Sequence, residues 1–389
     1  MINDTLNISY IINILGENEN EGLSPVAPPI YQTSNFYFKT VEQFRNAISS
    51  EKDTCIYSRG NNPTVNLLCR KLAALEGAEE ALVFGSGMAA ISAAILSNVK
   101  TGDHILCVQN PYSWTDTLLN TTILPRFGVQ VTMVDGRSTQ AIIDAAQPET
   151  KVIYLESPNS WTFELQDLKA ISNFARKRGI TTIIDNSYST PLYQQPISHG
   201  IDLVVHTASK YLGGHSDVVA GVCCGSKELI GKIFANEFLT LGGILSPFNA
   251  WLILRGLRTL PVRMEHVSRV THGIIEYLKT QAKVTRIYYP MMPENEQYDL
   301  SQTQMKKGTG LFTIEVDSTN EAIESFCNSL TYWRMAVSWG GHESLVIPSC
   351  TFVRPGLYST MPHNLIRFSV GLEDAETLIR DIESNMHFL

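Results

Sequence analysis

The sequence predicts an α/β fold, in which a mostly parallel central sheet is covered by helices on both faces and a smaller α+β region follows. Short apolar runs alternate with helical patterns from about residue 81 to residue 225, and the runs have the length of buried strands. Beyond them an amphipathic helix is expected from about Arg263 to Thr280. Strands near Val284 and Leu311 and a closing helix from about Asp374 then form the smaller region.

The first element of the predicted sheet domain is a helix. Its apolar residues recur at helical spacing and Gly77 follows as a C-cap: Leu67, Leu68, Leu72 and Leu75. The apolar runs that predict strands are ALVF from Ala81, HILCV from His104, VTMVD from Val131, VIYLE from Val152, TTIID from Thr181, DLVVHT from Asp202 and VAGVCCG from Val219. Residues 87–99 and 167–178 are among the helical segments between them.

The residues before this helix are irregular. Prolines in the stretch PVAPPIYQTSNF, residues 25–36, remove N–H donors and favour extended chain, which suits an arm lying on another surface. We therefore predict three parts: an N-terminal arm of residues 1–59, an α/β domain of residues 60–258 and a C-terminal α+β domain of residues 259–389.

Composition excludes several classes of function. Apolar residues at 44% and charged residues at 17% are typical of a globular protein, and a net charge of −8 without a basic tract argues against nucleic-acid and membrane partners. No basic residue precedes Lys39, so a signal peptide is not expected, and no window has the roughly 20 apolar residues of a membrane span. The 7 cysteines show neither a CxxC pair nor zinc-site spacing, so we expect no metal and a cytoplasmic location.

Candidate binding residues lie where the predicted strands end, which is where ligands collect in α/β sheets. GSGM, residues 85–88, follows a strand and opens a helix, so its backbone N–H groups and the positive end of the helix could hold a phosphate. A close turn without a ligand is an equal interpretation. A dinucleotide site would need a third glycine, so a monophosphate fits better than NAD.

Asp185 and Lys210 end or follow two further strands. Asp185 could be a helix cap, a metal ligand or the partner of a protonated ring nitrogen. Lys210 could be a solvated charge, but Thr207 and Ser209 flank it with hydroxyls and a glycine pair follows it. A pyridoxal 5′-phosphate (PLP) site needs a lysine, an acid at the pyridine nitrogen and a phosphate-binding turn, and all three types of residue are present.

With these residues in place, the chain resembles the Cys/Met-metabolism family of PLP enzymes, which includes cystathionine β-lyase, cystathionine γ-lyase, cystathionine γ-synthase and methionine γ-lyase. The resemblance extends from Pro25 over nearly the whole chain. Its motifs are PPIYQTS from Pro28, YSRGNNPT from Tyr57, LEGAE from Leu75, GSGMAA from Gly85, ESP from Glu156, IDNSYSTP from Ile184, the Lys210 segment with GHSDVVAG, RGLRTL from Arg255, SWGGHESL from Ser338 and IRFSVGLED from Ile366.

The resemblance implies fold type I, the aminotransferase-like PLP fold, and a role for each matching residue. Lys210 resembles the Schiff-base lysine and proton shuttle, and Asp185 the partner of the pyridine nitrogen. The phosphate would be bound by one group of residues: Gly87, Met88, Thr207 and Ser209, with Tyr57 and Arg59 from the neighbouring subunit. The arm would contact that subunit, so the enzyme would be a homodimer or a dimer of dimers with shared active sites.

Four further residues resemble the family's substrate-side groups. Tyr112 resembles the tyrosine that stacks on the cofactor and helps to activate the substrate. Arg367 resembles the arginine that binds the α-carboxylate of an amino-acid substrate, a bidentate contact that lysine makes poorly. Ser338 is expected near that carboxylate or the lysine. Trp339 either forms a wall of the pocket or packs in the core.

The resemblance implies a PLP-dependent carbon–sulfur lyase, and the residues divide between its subtypes. Ser160, where the family usually has Asn, and Trp339 are similar to bacterial cystathionine β-lyase. Val337 is closer to methionine γ-lyase. We therefore expect a β-lyase that releases thiol, pyruvate and ammonia, with γ-elimination or γ-replacement, including O-acylhomoserine sulfhydrylase activity, as the alternative.

Three alternatives to a carbon–sulfur lyase come from other functional classes. A PLP aminotransferase is a more remote alternative than γ-elimination or γ-replacement. An NAD-dependent oxidoreductase, which would have to use the GSGM turn, is less expected still. A non-catalytic binding protein would have no reason to keep Lys210, Asp185, Tyr112 and Arg367 together.

Overall fold

The computed structural model describes residues 7–17, 25–352 and 361–389. Residues 1–6 and 18–24 of the predicted arm lie outside the described part. Within that part the helices, in chain order, are α1 (Ile8–Asn13), α2 (Val41–Ser49), α3 (Pro63–Glu76), α4 (Gly87–Leu96), α5 (Ser113–Thr117), α6 (Leu124–Phe127), α7 (Thr139–Ala145), α8 (Leu168–Arg178), α9 (Thr190–Tyr193), α10 (Lys227–Ile233), α11 (Leu239–Leu241), α12 (Pro247–Leu278), α13 (Tyr298–Gln304), α14 (Asn320–Ser329) and α15 (Ala375–Asn385).

A seven-stranded sheet is the centre of the larger domain. Its strands are β1 (Glu80–Phe84), β2 (His104–Val108), β3 (Gln130–Val134), β4 (Thr150–Glu156), β5 (Thr181–Asp185), β6 (Leu203–Thr207) and β7 (Gly221–Gly225), in the spatial order β1-β7-β6-β5-β4-β2-β3. All pairs are parallel except those of β7, which runs antiparallel to both β1 and β6. The predicted mostly parallel sheet is confirmed.

The apolar strands are buried because both faces of the sheet are covered. One face packs against a cluster that contains Ile91 and Ile95 of α4 and Ile230 of α10. The other face contributes to a larger core shared with α3, α8 and α12. Strands covered on both faces read as continuous apolar runs, which is why the sequence located them within one or two residues.

Capping contacts between residues close in sequence set the ends of α3 and the start of α4. The Asn62 side chain accepts a hydrogen bond from the N–H of Thr64 at the start of α3, and Gly77 ends that helix with φ of 69°. The Ser86 side chain accepts from the N–H of Ala89 at the start of α4. The helix predicted at residues 87–99 therefore begins at Gly87 as expected.

The C-terminal region contains a five-stranded sheet. Its strands are β8 (Val284–Tyr288), β9 (Leu311–Val316), β10 (Arg334–Met335), β11 (Leu345–Pro348) and β12 (Leu365–Ser369), in the order β10-β11-β12-β9-β8. Only the β10 and β11 pair is parallel among these described strands. The closing helix α15 begins after the N-cap Asp374, as predicted.

The prediction for the helix linking the two regions was wrong at its start. We expected it from about Arg263, whereas α12 begins at Pro247 and continues through Pro261. A proline inside a helix costs one hydrogen bond and usually indicates a break, but burial along α12, including Leu257, Leu260 and Met264, stabilises the continuous helix. The predicted boundary between residues 258 and 259 falls inside this helix.

Part of the N-terminal segment packs on its own chain. Lys71 of α3 is buried, donates to the Ile11 carbonyl at 2.6 Å and forms an ion pair with Glu17 at 3.0 Å. Glu17 also pairs with Arg258 of α12 at 2.9 Å. These contacts hold α1 against α3 and α12.

In the part of the chain that the structure describes, none of the helices combines the length and the apolar character that a membrane crossing requires.

Candidate active site

Two acidic side chains stand side by side where adjacent parallel strands end. Glu156 is the last residue of β4 and Asp185 the last of β5, and their Cα atoms are partners in the sheet. Asp185 accepts a hydrogen bond from the N–H of Ser187 at 2.9 Å. Desolvation raises the pKa of both carboxyls, and with the nearby Asp185 charge it raises the pKa of Glu156 to about 8. This end of the sheet therefore favours a positive charge or a proton.

Lys210 lies just past the end of β6, and its amine faces the same region. Nζ donates to Oγ of Ser338 at 2.6 Å and lies 5.3 Å from the ring centroid of Trp339. Desolvation and the positive charge of Arg367 lower the pKa of Lys210 to about 8, although Asp185 opposes the shift. An amine with this pKa is neutral in a useful fraction of molecules near neutral pH.

Ser338 has a backbone conformation that L-residues rarely adopt. Its φ is 109°. Gly340, two residues later, has a φ of 78° and packs so closely that an added Cβ would lie 2.9 Å from the Tyr211 backbone nitrogen. Such strain persists only where surrounding structure enforces it, and it is concentrated at functional sites. The strained turn at Ser338 brings the C-terminal region into contact with Lys210. The sequence around Lys210 does not predict this contact.

The turn at the start of α4 lies directly against the end of β6. A Cβ added to Gly87 would lie 2.2 Å from Oγ1 of Thr207, so only glycine permits this approach. The N–H groups of Gly87 and Met88 belong to the first turn of α4, where a helix provides no internal acceptor. The two donors and the Thr207 hydroxyl could therefore hold an anion together.

The second hydroxyl of the predicted phosphate site has a different set of contacts. Oγ of Ser209 accepts from the N–H of Ala220 at 3.0 Å and lies 3.3 Å from the Ala220 carbonyl. Ser209 therefore joins the Lys210 turn to the chain that enters β7.

Tyr112 and Arg367 approach the acidic pair from other elements. The N–H of Tyr112 donates to Oε2 of Glu156 at 2.7 Å, and desolvation, with Asp185 and Glu156, raises the pKa of the Tyr112 hydroxyl. Arg367 of β12 is buried, and its Nη1 donates to the Ser160 carbonyl at 2.9 Å. Desolvation lowers the Arg367 pKa to about 10, while Glu156 opposes that shift.

Tyr57 and Arg59 form a separate group. The Arg59 guanidinium carbon lies 5.6 Å from the Tyr57 ring centroid, and Tyr57 is exposed. The hydrogen bonds and ion pairs of the described residues do not connect either of these side chains to Lys210. Their predicted service to a neighbouring subunit stays a prediction.

Comparison with known proteins decides the family. The model of the family described as "Cys/Met metabolism PLP-dependent enzyme" matches residues 11–387. The chain belongs to this family. The family and the fold class predicted from the sequence are thereby confirmed.

Similar proteins include enzymes of both expected subtypes. L-methionine gamma-lyase of Porphyromonas gingivalis is 39% identical over 373 residues, which are 94% of this chain and 93% of that protein. Cystathionine beta-lyase of Lactococcus lactis subsp. cremoris is 36% identical over 377 residues, which are 95% of this chain and 96% of that protein. The crystal structure of cystathionine gamma synthase from Xanthomonas oryzae pv. oryzae matches with a TM-score of 0.91 at 29% identity and covers 98% of each chain.

The residues at this site fit the cofactor of the family. PLP carries a carbonyl carbon, a basic ring nitrogen and a phosphate. Lys210 offers an amine with a lowered pKa, and the buried Asp185 favours a cationic N–H. The turn at Gly87 offers N–H donors of the first turn of a helix, which have no acceptor within the helix. The described residues contain no cluster of His, Cys, Asp and Glu suited to a metal ion.

Three residues at the site were not singled out from the sequence. Glu156 had the same signal as Asp185, a carboxylate at the end of an apolar strand. The N–H of Ser187 donates to Asp185, and the Ser187 hydroxyl accepts from the N–H of Thr207 at 2.7 Å. Ser187 thus connects Asp185 to the end of β6, and no sequence pattern predicts this connection. The ring centroid of Trp161 lies 4.6 Å from the Arg367 guanidinium carbon, and only the fold brings the two residues together.

Proposed function

We propose that this protein is a PLP-dependent carbon–sulfur lyase that acts on a sulfur amino acid. The observation that carries the proposal is the position of Lys210, whose amine is held by Ser338 and influenced by both Asp185 and Arg367. One amine is thus near the residue expected at the cofactor nitrogen and the residue expected at the substrate carboxylate.

Each part of the cofactor has residues suited to hold it. Lys210 would bind the carbonyl carbon covalently through Nζ, Asp185 would pair with the ring nitrogen, and Tyr112 would lie against the ring. The phosphate would be held by the N–H groups of Gly87 and Met88 and by the hydroxyls of Thr207 and Ser209. When bound, PLP supplies an electron-withdrawing ring that stabilises negative charge at the substrate α-carbon.

The protein side chains then bind the substrate and move its proton. Arg367 binds the α-carboxylate, which fixes the α-carbon relative to Lys210. Nζ of Lys210 would be freed when the substrate amine takes its place at the cofactor. It would then remove the α-proton and later deliver it to the leaving sulfur, roles for which an amine with a lowered pKa is suited near neutral pH. Ser338 fixes the direction of Nζ through the 2.6 Å hydrogen bond. Tyr112, with its raised pKa, stays protonated and can donate a hydrogen bond.

β-Elimination is the first candidate for the position of the broken bond. It is supported by Ser160 and Trp339, which resemble the corresponding residues of bacterial cystathionine β-lyase. It would release a thiol, pyruvate and ammonia. γ-Elimination or γ-replacement is the second candidate, supported by Val337 and by the 39% identity to a protein named L-methionine gamma-lyase.

Identification of the keto acid tests the proposal. The PLP-loaded protein is incubated separately with cystathionine, cysteine and methionine, and Lys210→Ala protein is the control. Pyruvate from cystathionine or cysteine indicates β-elimination, whereas 2-oxobutyrate from cystathionine or methionine indicates γ-elimination. Formation of a keto acid that keeps the sulfur would indicate an aminotransferase and would contradict the proposal.

The proposal includes assembly and location. Tyr57 and Arg59 would complete the phosphate site of a second copy, so the active unit would be a homodimer, alone or paired into a tetramer. Supporting this, Val26, Tyr37 and Val41 of the N-terminal segment are strongly exposed apolar residues in the single chain. A cytoplasmic location remains a prediction from the sequence.

A further inference from the structure

Arg367 is a buried cation that is compensated in an unusual way. Arg367 is only 8% exposed, yet within the described residues no carboxylate forms an ion pair with it. Its neighbours are the Ser160 carbonyl, 2.9 Å from Nη1, and the Trp161 ring, whose centroid lies 4.6 Å from the guanidinium carbon. Burial of a charge without such partners is costly, so both contacts stabilise the cation.

The kind of partner matters for what Arg367 can bind. A carboxylate would neutralise the guanidinium and compete with an incoming anion for its N–H donors. An aromatic face attracts the cation through its quadrupole and occupies none of the five donors. With Nη1 bound to Ser160, the other donors stay available for a carboxylate in bidentate geometry.

Trp161 is itself held firmly. Oδ1 of Asn159 accepts hydrogen bonds from three successive N–H groups, those of Trp161 at 3.1 Å, Thr162 at 2.9 Å and Phe163 at 2.9 Å. Phe163 has a φ of 55°, which a phenylalanine rarely adopts, and its buried ring packs on Tyr188. These contacts fix the backbone at Trp161, and the Trp161 ring itself makes an edge contact with Phe352 at 6.1 Å between ring centroids.

We propose that Trp161 is a positioning residue that makes the site selective for substrates with a free α-carboxylate. The inference rests on the proposed function, because it assigns the substrate carboxylate to Arg367. Trp161 acts through Arg367: its ring holds the guanidinium in place without occupying its N–H donors, so that those donors can bind an anion.

The substitution Trp161→Leu tests this, since leucine keeps apolar bulk and removes the aromatic face. Trp161→Phe keeps a weaker aromatic face and also serves if the leucine variant folds poorly. Phe174→Ala is the matched control, because Arg178 lies 5.9 Å from the Phe174 ring on α8, a similar contact outside the site.

Two readouts compare an acid with its amide. In equilibrium titrations of the PLP-loaded protein, glycine and glycinamide are the probes, since neither has a leaving group. In steady-state kinetics, the cleaved sulfur amino acid is compared with its carboxamide. We expect Trp161→Leu to reduce the preference for the acid about tenfold, in line with a desolvated cation–π contact, mainly through Kd and KM. The preference of Trp161→Phe for the acid should lie between those of the wild type and Trp161→Leu. The preference of Phe174→Ala should match that of the wild type.

The outcomes separate this inference from the proposed function. If Trp161→Leu weakens acid and amide equally, Trp161 has only a structural role and the inference is wrong. An unchanged preference in both variants would refute it as well. Failure of the wild type to release any keto acid would contradict the proposed lyase activity, but the glycine and glycinamide titrations would still decide whether Trp161 supports anion binding at Arg367.

Discussion

Capture of the cofactor by Lys210 is expected to depend on a pKa of about 8, far below the ordinary lysine value of 10.5. Only the neutral amine attacks a carbonyl carbon, so the rate should follow the neutral fraction of Lys210. Desolvation favours that neutral form, and the nearby Arg367 charge adds to the effect. The rate should therefore rise with pH and level off above about 8, the pKa of the Lys210 amine.

The expected advantage is large. At neutral pH a group with the lowered pKa is neutral in roughly one molecule in ten, whereas an ordinary lysine is neutral in roughly one in 3,000. The site should thus accelerate capture about 300-fold by protonation alone. Substitutions of the neighbours should move the midpoint in opposite directions, because Arg367 lowers the pKa and Asp185 raises it. Arg367→Gln should shift it upward, and Asp185→Asn downward.

The assay is rapid mixing of cofactor-free protein with PLP from neutral to alkaline pH, with visible absorbance as the signal. Capture by N-acetyl-lysine methylamide under the same conditions corrects for the protonation of PLP itself. Each variant is scaled to its own plateau, so that a change in cofactor affinity does not alter the midpoint. A wild-type midpoint near 10.5, or shifts of the same sign in both variants, would refute the electrostatic reasoning.

Three further predictions concern Lys210, the turn at Gly87 and the sharing of a site between subunits. Lys210→Ala should abolish turnover while noncovalent PLP binding persists in equilibrium dialysis, and substantial residual lyase activity would contradict the mechanism. Gly87→Ala should lower PLP affinity at least tenfold, because the new Cβ would lie 2.2 Å from Oγ1 of Thr207. Gly273→Ala is its control, since the added Cβ meets its nearest neighbour at 3.8 Å; equal affinities in the two variants would argue against the phosphate turn. Refolded mixtures of inactive Lys210→Ala and Arg59→Ala proteins should regain activity in hybrid dimers, and authenticated hybrids without activity would show that Arg59 serves its own subunit.

Much of the fold could be predicted because the signals were local. Strands covered on both faces appear as apolar runs, and Asn62, Ser86 and Asp374 cap helices through contacts within a few residues. The start of α12 could not be predicted in this way. Proline is locally unfavourable at position 261, and only packing along the whole helix offsets its cost.

The residues of the candidate site also divide into those that local sequence signals place and those that they do not. Asp185, Lys210 and Gly87 follow or end strands of one sheet, so sequence order and the strand pattern place them at one edge. Ser338 and Arg367 come from the other region more than a hundred residues later, and the family resemblance, not periodicity, pointed to them. The hydrogen bond from Arg367 to the Ser160 carbonyl joins residues 207 positions apart. The contact of the neighbouring Trp161 with Arg367 also has no local signal.

The most direct test of the role proposed for Lys210 is to find which lysine carries the cofactor. The PLP-loaded protein is reduced with borohydride, which makes the bond between the cofactor and the amine permanent, then digested and analysed by peptide mass spectrometry. We predict that the phosphopyridoxyl group is found on the peptide that contains Lys210 and disappears in the Lys210→Ala protein. Its presence on a different lysine, or no stable adduct in protein that is catalytically active, would contradict the central role given to Lys210.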